Sequence, residues 1–198
     1  MTCIVGLLRD NTIYMGCDSA GVRGLDLEVR ADKKIFSLVN GNGQAFVIGC
    51  CGSFRMGQIL RYEFEPPSYS VKDKTVFDYM VTCFVRDIRE LFKEKGYATI
   101  KNNEESGGEF LVGFEGRLFL IQSDYHVCEA LLPFNATGCG DSYAKGALYA
   151  LYRSETKTAK GIITSSLKAA QQYSAGVREP FYMIRIDKKG TADDPLRL

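Results

Sequence analysis

The 198-residue chain is 45% hydrophobic, enough to bury a sizeable core, and nothing in its length calls for more than one domain spanning residues 1–198. Its 25 basic and 24 acidic residues leave a net charge of +1, which excludes the global field that draws a protein to nucleic acid or to anionic membranes. There is no basic-plus-apolar leader and no run of about 18 apolar residues. The expected location is therefore the cytoplasm. Seven cysteines, an odd number without a C-x-x-C pair, read as reduced thiols. The single histidine, His126, has no ligand cluster around it and reads as a surface residue at a strand end, so neither a metal nor a cofactor is expected.

Apolar, β-branched runs at Cys3–Leu8 and Thr12–Cys17 flank the turn Arg9-Asp10-Asn11 and predict a hairpin that starts almost at residue 1. Residues 19–32 read as a loop with a short strand at Leu25–Arg30. Lys34–Leu38 and Gln44–Cys51 form a second strand pair around Gly41-Asn42-Gly43. Gly52 and Ser53 open a helical stretch that stops near Pro66-Pro67. A longer helix is predicted over about Lys74–Lys95 from Val76, Met80, Val81, Phe84, Val85, Ile88 and Leu91.

Asn102–Gly108 is polar and reads as a mobile loop. Strands are predicted at Glu109–Phe114, Arg117–Ser123 and Val127–Leu132. After Gly138-Cys139-Gly140 the pattern turns helical to about Arg153 and again from about Thr158 to Ala175, and Phe181–Ile186 closes as a strand. Strands separated by pairs of helices suit two stacked sheets covered by helices on both outer faces. No Walker-type G-x-x-x-x-G-K-[ST] motif is present, so any ATP-driven partner must be a separate protein.

A strand beginning at residue 3 makes the terminus itself a candidate site. Thr2 follows an initiator methionine, and a residue this small permits removal of Met1 and exposure of a free Thr α-amine. With an unperturbed pKa near ~8, that amine can take the proton of the Thr hydroxyl, so one residue supplies nucleophile and base. Asp18, at the end of the second strand, and Lys34, at the start of the third, make chemical sense beside it. An ammonium favours the deprotonated nucleophile, and a carboxylate keeps that ammonium charged. From spacing alone, a loop carboxylate and a solvated lysine remain the alternative.

The segments Thr2-Cys3-Ile4-Val5-Gly6, Gly16-Cys17-Asp18-Ser19, Lys33-Lys34-Ile35-Phe36, Cys51-Gly52-Ser53 and Ala136-Thr137-Gly138-Cys139-Gly140-Asp141-Ser142 resemble, in order, those of proteasome β-subunits and HslV-type peptidases. The resemblance covers the first 62 residues and residues 134–152. It implies the α+β, four-layer αββα sandwich of the N-terminal-nucleophile hydrolases. It also implies a threonine-type peptidase acting on polypeptides, a homo-oligomeric ring and, as with its HslV-type members, a separate ATP-dependent unfoldase. Thr2 matches the nucleophile, Asp18 its acidic partner and Lys34 the catalytic lysine, with Lys33 the competing choice. Gly52 matches the oxyanion-hole position, with Gly49 the lesser candidate.

Two departures stand out. Cys139 replaces a serine that hydrogen-bonds the terminal amine in the family, with Ser142 or Asp141 as substitutes, and the family's late Asp and Ser are missing, Ser174 being a stand-in. They leave open an inert scaffold subunit, or an amidase acting on a small amide. Cys50 and Cys51 either shape a small apolar pocket or simply pack a buried strand.

Overall fold

Alternation along the first hairpin sets the layer order. In β1 (Cys3–Arg9), Cys3, Val5 and Leu7 pack with Leu148, Ile163 and Leu167, while Ile4 joins Met15, Ile35 and Leu111 on the opposite face. A strand buried on both faces must lie between two layers. Its partner β2 (Thr12–Cys17) repeats the pattern: Ile13, Met15 and Cys17 face inward, and Tyr14 faces the helices.

The computed structural model describes residues 2–101, 104–187 and 190–198. Beyond the first hairpin come β3 (Ala20–Arg23), β4 (Asp26–Val29), β5 (Ile35–Val39), β6 (Ala45–Cys50), α1 (Phe54–Tyr62) and α2 (Val76–Tyr79). A π turn (Met80–Phe84) joins α2 to α3 (Val85–Glu94), followed by β7 (Thr99–Lys101), β8 (Glu104–Ser106), β9 (Phe110–Phe114), β10 (Arg117–Ile121) and β11 (Val127–Glu129). The chain then runs through β12 (Phe134–Gly138), α4 (Asp141–Leu151), α5 (Ala159–Tyr173), β13 (Tyr182–Ile186) and β14 (Leu196–Arg197).

One five-stranded sheet has the order β12-β1-β2-β13-β14, and the other β11-β10-β9-β6-β5. α4 and α5 cover the outer face of the first, and α1 with the α2–α3 rod covers the second. Between the sheets lie Ile4, Ile13, Met15, Ile35, Val47, Leu111, Leu118 and Ile184. The architecture is thus the expected αββα sandwich. Under α1 to α3 an aromatic cluster forms, with Phe46 stacked on Phe114 at 4.0 Å between ring centres and on Phe84 at 5.5 Å. Such pairs add about 0.5–1.5 kcal/mol each beyond area burial.

Several elements differ from the sequence reading. Val81 is exposed although helical spacing placed it in the core. The π turn, in which the Val85 N–H donates to Met80 O, moves the buried face by one residue, so that Tyr79, Met80, Phe84, Ile88 and Phe92 point inward. The polar segment expected as a loop carries a small pair, β7 with β8, although Asn102 and Asn103 lie outside the described residues. The strand expected at Leu25–Arg30 is β4, paired with an unforeseen β3. The strand from Val127 ends at Glu129, and Leu131 is fully exposed. β12 and β14 were missed, and β12 matters most because it pairs with β1 along its whole length. His126 is exposed beside β11, as expected.

All seven cysteines are free. Burial pushes the Cys17 thiol up to about 12 and raises Cys3 and Cys50 further. Cys83 moves the other way: its slight burial is outweighed by contacts with Thr82 and Lys74, the latter at 3.2 Å. Alkylation of the folded protein, mapped by peptide mass spectrometry, should therefore modify Cys83 and exposed Cys128 while Cys3, Cys17 and Cys50 react only in denaturant. Rapid labelling of any of those three in folded protein would contradict this burial pattern.

Candidate active site

Asp18 leaves the end of β2 and is 1% exposed. Its Oδ1 accepts the Cys3 N–H at 2.9 Å and Lys34 Nζ at 2.8 Å, and its Oδ2 accepts the N–H groups of Ala20 at 2.8 Å and Arg178 at 3.3 Å. The acceptor capacity of a carboxylate is thereby used in full. Lys34 enters from the other sheet, just before β5, and also donates to Ala20 O at 2.6 Å. Lys33, one residue earlier, turns away: its Nζ lies 3.3 Å from Pro195 O and 5.3 Å from the centre of the Tyr182 ring. The structure therefore brings Lys34, and not Lys33, onto Asp18.

Thr2 immediately precedes β1 and is 3% exposed; Met1 lies outside the described residues. The backbone of residue 2 is clamped by β12, since the Cys139 N–H donates to Thr2 O at 2.6 Å. This approach requires Gly138. Its φ of +95° disfavours a side chain, and a Cβ there would lie 2.1 Å from Thr2 O.

Thr2 and Lys34 line one cleft together with Cys51, Gly52, Phe54 and Arg61, enclosing about 520 Å³ of space open to solvent. Gly52 has a φ of +84° and nothing within 4 Å of a Cβ built on it, so its backbone borders the cleft between β6 and α1. Gly49 is a packing residue, since a Cβ there would meet Ile4 at 2.5 Å and Met15 at 2.7 Å.

The other candidates are placed as follows. Cys139 is half-buried and offers its N–H to Thr2. Asp141 is held by Lys145 at 2.9 Å, Ser142 is exposed, and Ser174 ends α5, accepting the Gly176 N–H at 3.4 Å. Cys50 and Cys51 both line the cleft.

Sequence reasoning missed a second polar group at this end of the sandwich. The Thr137 hydroxyl donates to Glu109 Oε1, and the Cys51 thiol lies 3.3 Å from Glu109 O and 3.7 Å from Oε1. Burial first, and then the Glu109 charge, push that thiol up to about 12, so it is a neutral donor at physiological pH. Glu109 read only as the first residue of the predicted strand Glu109–Phe114, and the observed strand starts one residue later. Thr137 lay inside a quoted motif without a role. Arg178, whose N–H completes the Asp18 set, carries no signal in a single sequence because it acts through its backbone.

Two stacked sheets with helices on both outer faces give the αββα architecture of the proteasome-like N-terminal-nucleophile hydrolase fold. Solved structures agree. The chain is similar to Thiobacillus denitrificans BPH in complex with epoxomicin (22% identity, covering 93% of this chain and 98% of that one, TM-score 0.74). It is also similar to HslV from Trypanosoma brucei (18% identity, 93% and 99% covered, TM-score 0.65). A third likeness is to the Anbu complex from Pseudomonas aeruginosa, a helical assembly (16% identity, 100% and 86% covered, TM-score 0.65). No protein-family model matches the chain. No described helix is long and apolar enough to cross a membrane.

Removing one partner of a buried ion pair strands the other, so Lys34→Met should lower unfolding free energy by about 3–5 kcal/mol, whereas Lys33→Met should change it by no more than about 0.5 kcal/mol. Denaturant titration of the two variants checks the order, and equal losses would contradict the geometry. Gly138→Ala should cost at least about 1–3 kcal/mol from backbone strain alone, read in the same titration.

Proposed function

We propose that this chain is a threonine-type N-terminal-nucleophile hydrolase that cleaves peptide bonds within a homo-oligomer. The observation that carries this reading is the placement of Thr2 in one cleft with Lys34, whose ammonium is fixed by the buried Asp18 carboxylate. Once Met1 is removed, the α-amine of Thr2 accepts the hydroxyl proton as Oγ attacks the substrate carbonyl. The fixed positive charge of Lys34 favours the developing alkoxide, and the Gly52 N–H, at the cleft edge, receives the oxyanion. The leaving amine takes a proton from the Thr2 ammonium, an ester remains on Oγ, and water activated by the same amine releases the acid.

The likeness to a protein solved with epoxomicin supports a reactive terminal threonine, and the likeness to the helical Anbu assembly supports a homo-oligomer. Any unfolding ATPase that feeds it substrate is a separate protein. Cys139, a weak hydrogen-bonding group where the resembled family has serine, favours a second reading: a scaffold subunit without activity.

Intact mass spectrometry before and after incubation with a peptide epoxyketone separates the two, because that reagent needs the free amine and hydroxyl of a terminal threonine. The hydrolase reading predicts loss of Met1 and one adduct that disappears in Thr2→Ala. A retained Met1 with no adduct would establish the scaffold reading instead.

A further inference from the structure

Arg61 lies in the last turn of α1 and lines the same cleft as Thr2. Its guanidinium is held by two uncharged contacts: one amino group donates to Ile35 O at 2.7 Å, and the central carbon lies 4.7 Å from the centre of the Phe36 ring. The main-chain bond uses one of five N–H donors, and no carboxylate among the described residues forms an ion pair with Arg61.

The other charges lining the cleft leave a surplus of the same sign. Lys34 is matched by Asp18. Asp32, the acid of the cleft lining, is clamped by Arg30 through bonds of 2.7 and 2.8 Å, and the Arg30 hydrogen bond holds its carboxyl below the ordinary range. Arg30 is itself pinned over the Phe54 ring at 3.8 Å. Lys33 reaches only a backbone carbonyl and an aromatic face. Arg61 therefore faces the cleft without an ion pair of its own, because Asp32, the lining carboxylate that feels its charge, is already committed to Arg30. The Lys33 ammonium turns away, and Phe36, Cys50 and Phe54 supply apolar walls.

Resting on the hydrolase reading above, we propose that Arg61 is a specificity residue and that the enzyme prefers peptides with an acidic side chain on the residue whose carbonyl Thr2 attacks. That side chain is the one attached beside the reacting carbon, so it is the one that enters the cleft. Its methylene stem packs on the apolar walls, and its carboxylate takes the unused donors of Arg61 in a fork geometry that lysine does not reproduce. A basic side chain meets like charge in a partly desolvated space and is rejected.

The test uses the processed protein and fluorogenic peptides that differ only at the residue preceding the leaving amine: glutamate, aspartate, leucine or arginine. The expected result is a kcat/KM for glutamate at least about tenfold above leucine and arginine, a ratio lost in Arg61→Gln and inverted between glutamate and arginine in Arg61→Glu. The readout is the ratio of rates within each protein, which a general loss of packing would not invert. The wild-type ranking decides the matter even where a variant fails to fold. Leucine or arginine cleaved as fast as glutamate by protein that takes the epoxyketone adduct overturns this proposal alone. No cleavage of any peptide by protein that takes no adduct overturns the hydrolase reading and this proposal with it.

Discussion

At the Thr2 end of the sandwich, four segments of the chain converge on the Asp18 carboxylate. It accepts hydrogen bonds from the start of β1, the start of β3, the lysine that precedes β5 and the segment before β13. Three stretches near the start of the chain and one from near its end are thus fixed to two oxygen atoms. A buried ion pair of this kind is a poor source of net stability, because desolvation offsets much of the attraction. What it supplies is position: Lys34 can stand in only one place, and the first strand can begin in only one register. The clamp from β12, which approaches Thr2 through a residue that must be glycine, fixes the same terminus from the other side. A segment this near a chain end is ordinarily mobile, and here the backbone of residue 2 is held by a hydrogen bond from Cys139.

The layer order was legible in the sequence because it rests on local patterns. Alternation in β1 and β2, the glycine turn before β6 and the helical periodicities after Thr75 and Thr158 each survive without tertiary context. β12 was not legible. Phe134–Gly138 is short, interrupted by Asn135, and reads as a lead-in to α4. Only its pairing with β1 makes it a strand. Val81 misled for a comparable reason, since a π turn shifts helical phase and no spacing rule anticipates it.

The candidate site divides along the same line. Asp18 and Lys34 could be named because the resemblance to proteasome β-subunits matched them to an acid and a lysine beside a threonine nucleophile, and the structure joins the two at 2.8 Å. The backbone donors of Ala20 and Arg178, and the Glu109–Thr137–Cys51 group, were invisible because their identity as side chains says nothing about where the chain brings them. Cys139 shows the limit in another way. The sequence reveals the substitution of a sulfur for an oxygen, and the structure shows that its backbone N–H still holds Thr2, so the clamp and the side chain are separate contributions.

The proposed mechanism places reactivity in Thr2 only when Thr2 begins the chain. Two forms of the protein test it most directly: one released by a specific protease so that Thr2 is the first residue, and one carrying a single additional residue before it. Peptide hydrolysis by the first form and none by the second is the predicted result, because only the first has an α-amine on the nucleophilic residue. Equal rates for the two forms would contradict the account and move the chemistry to another group in the cleft.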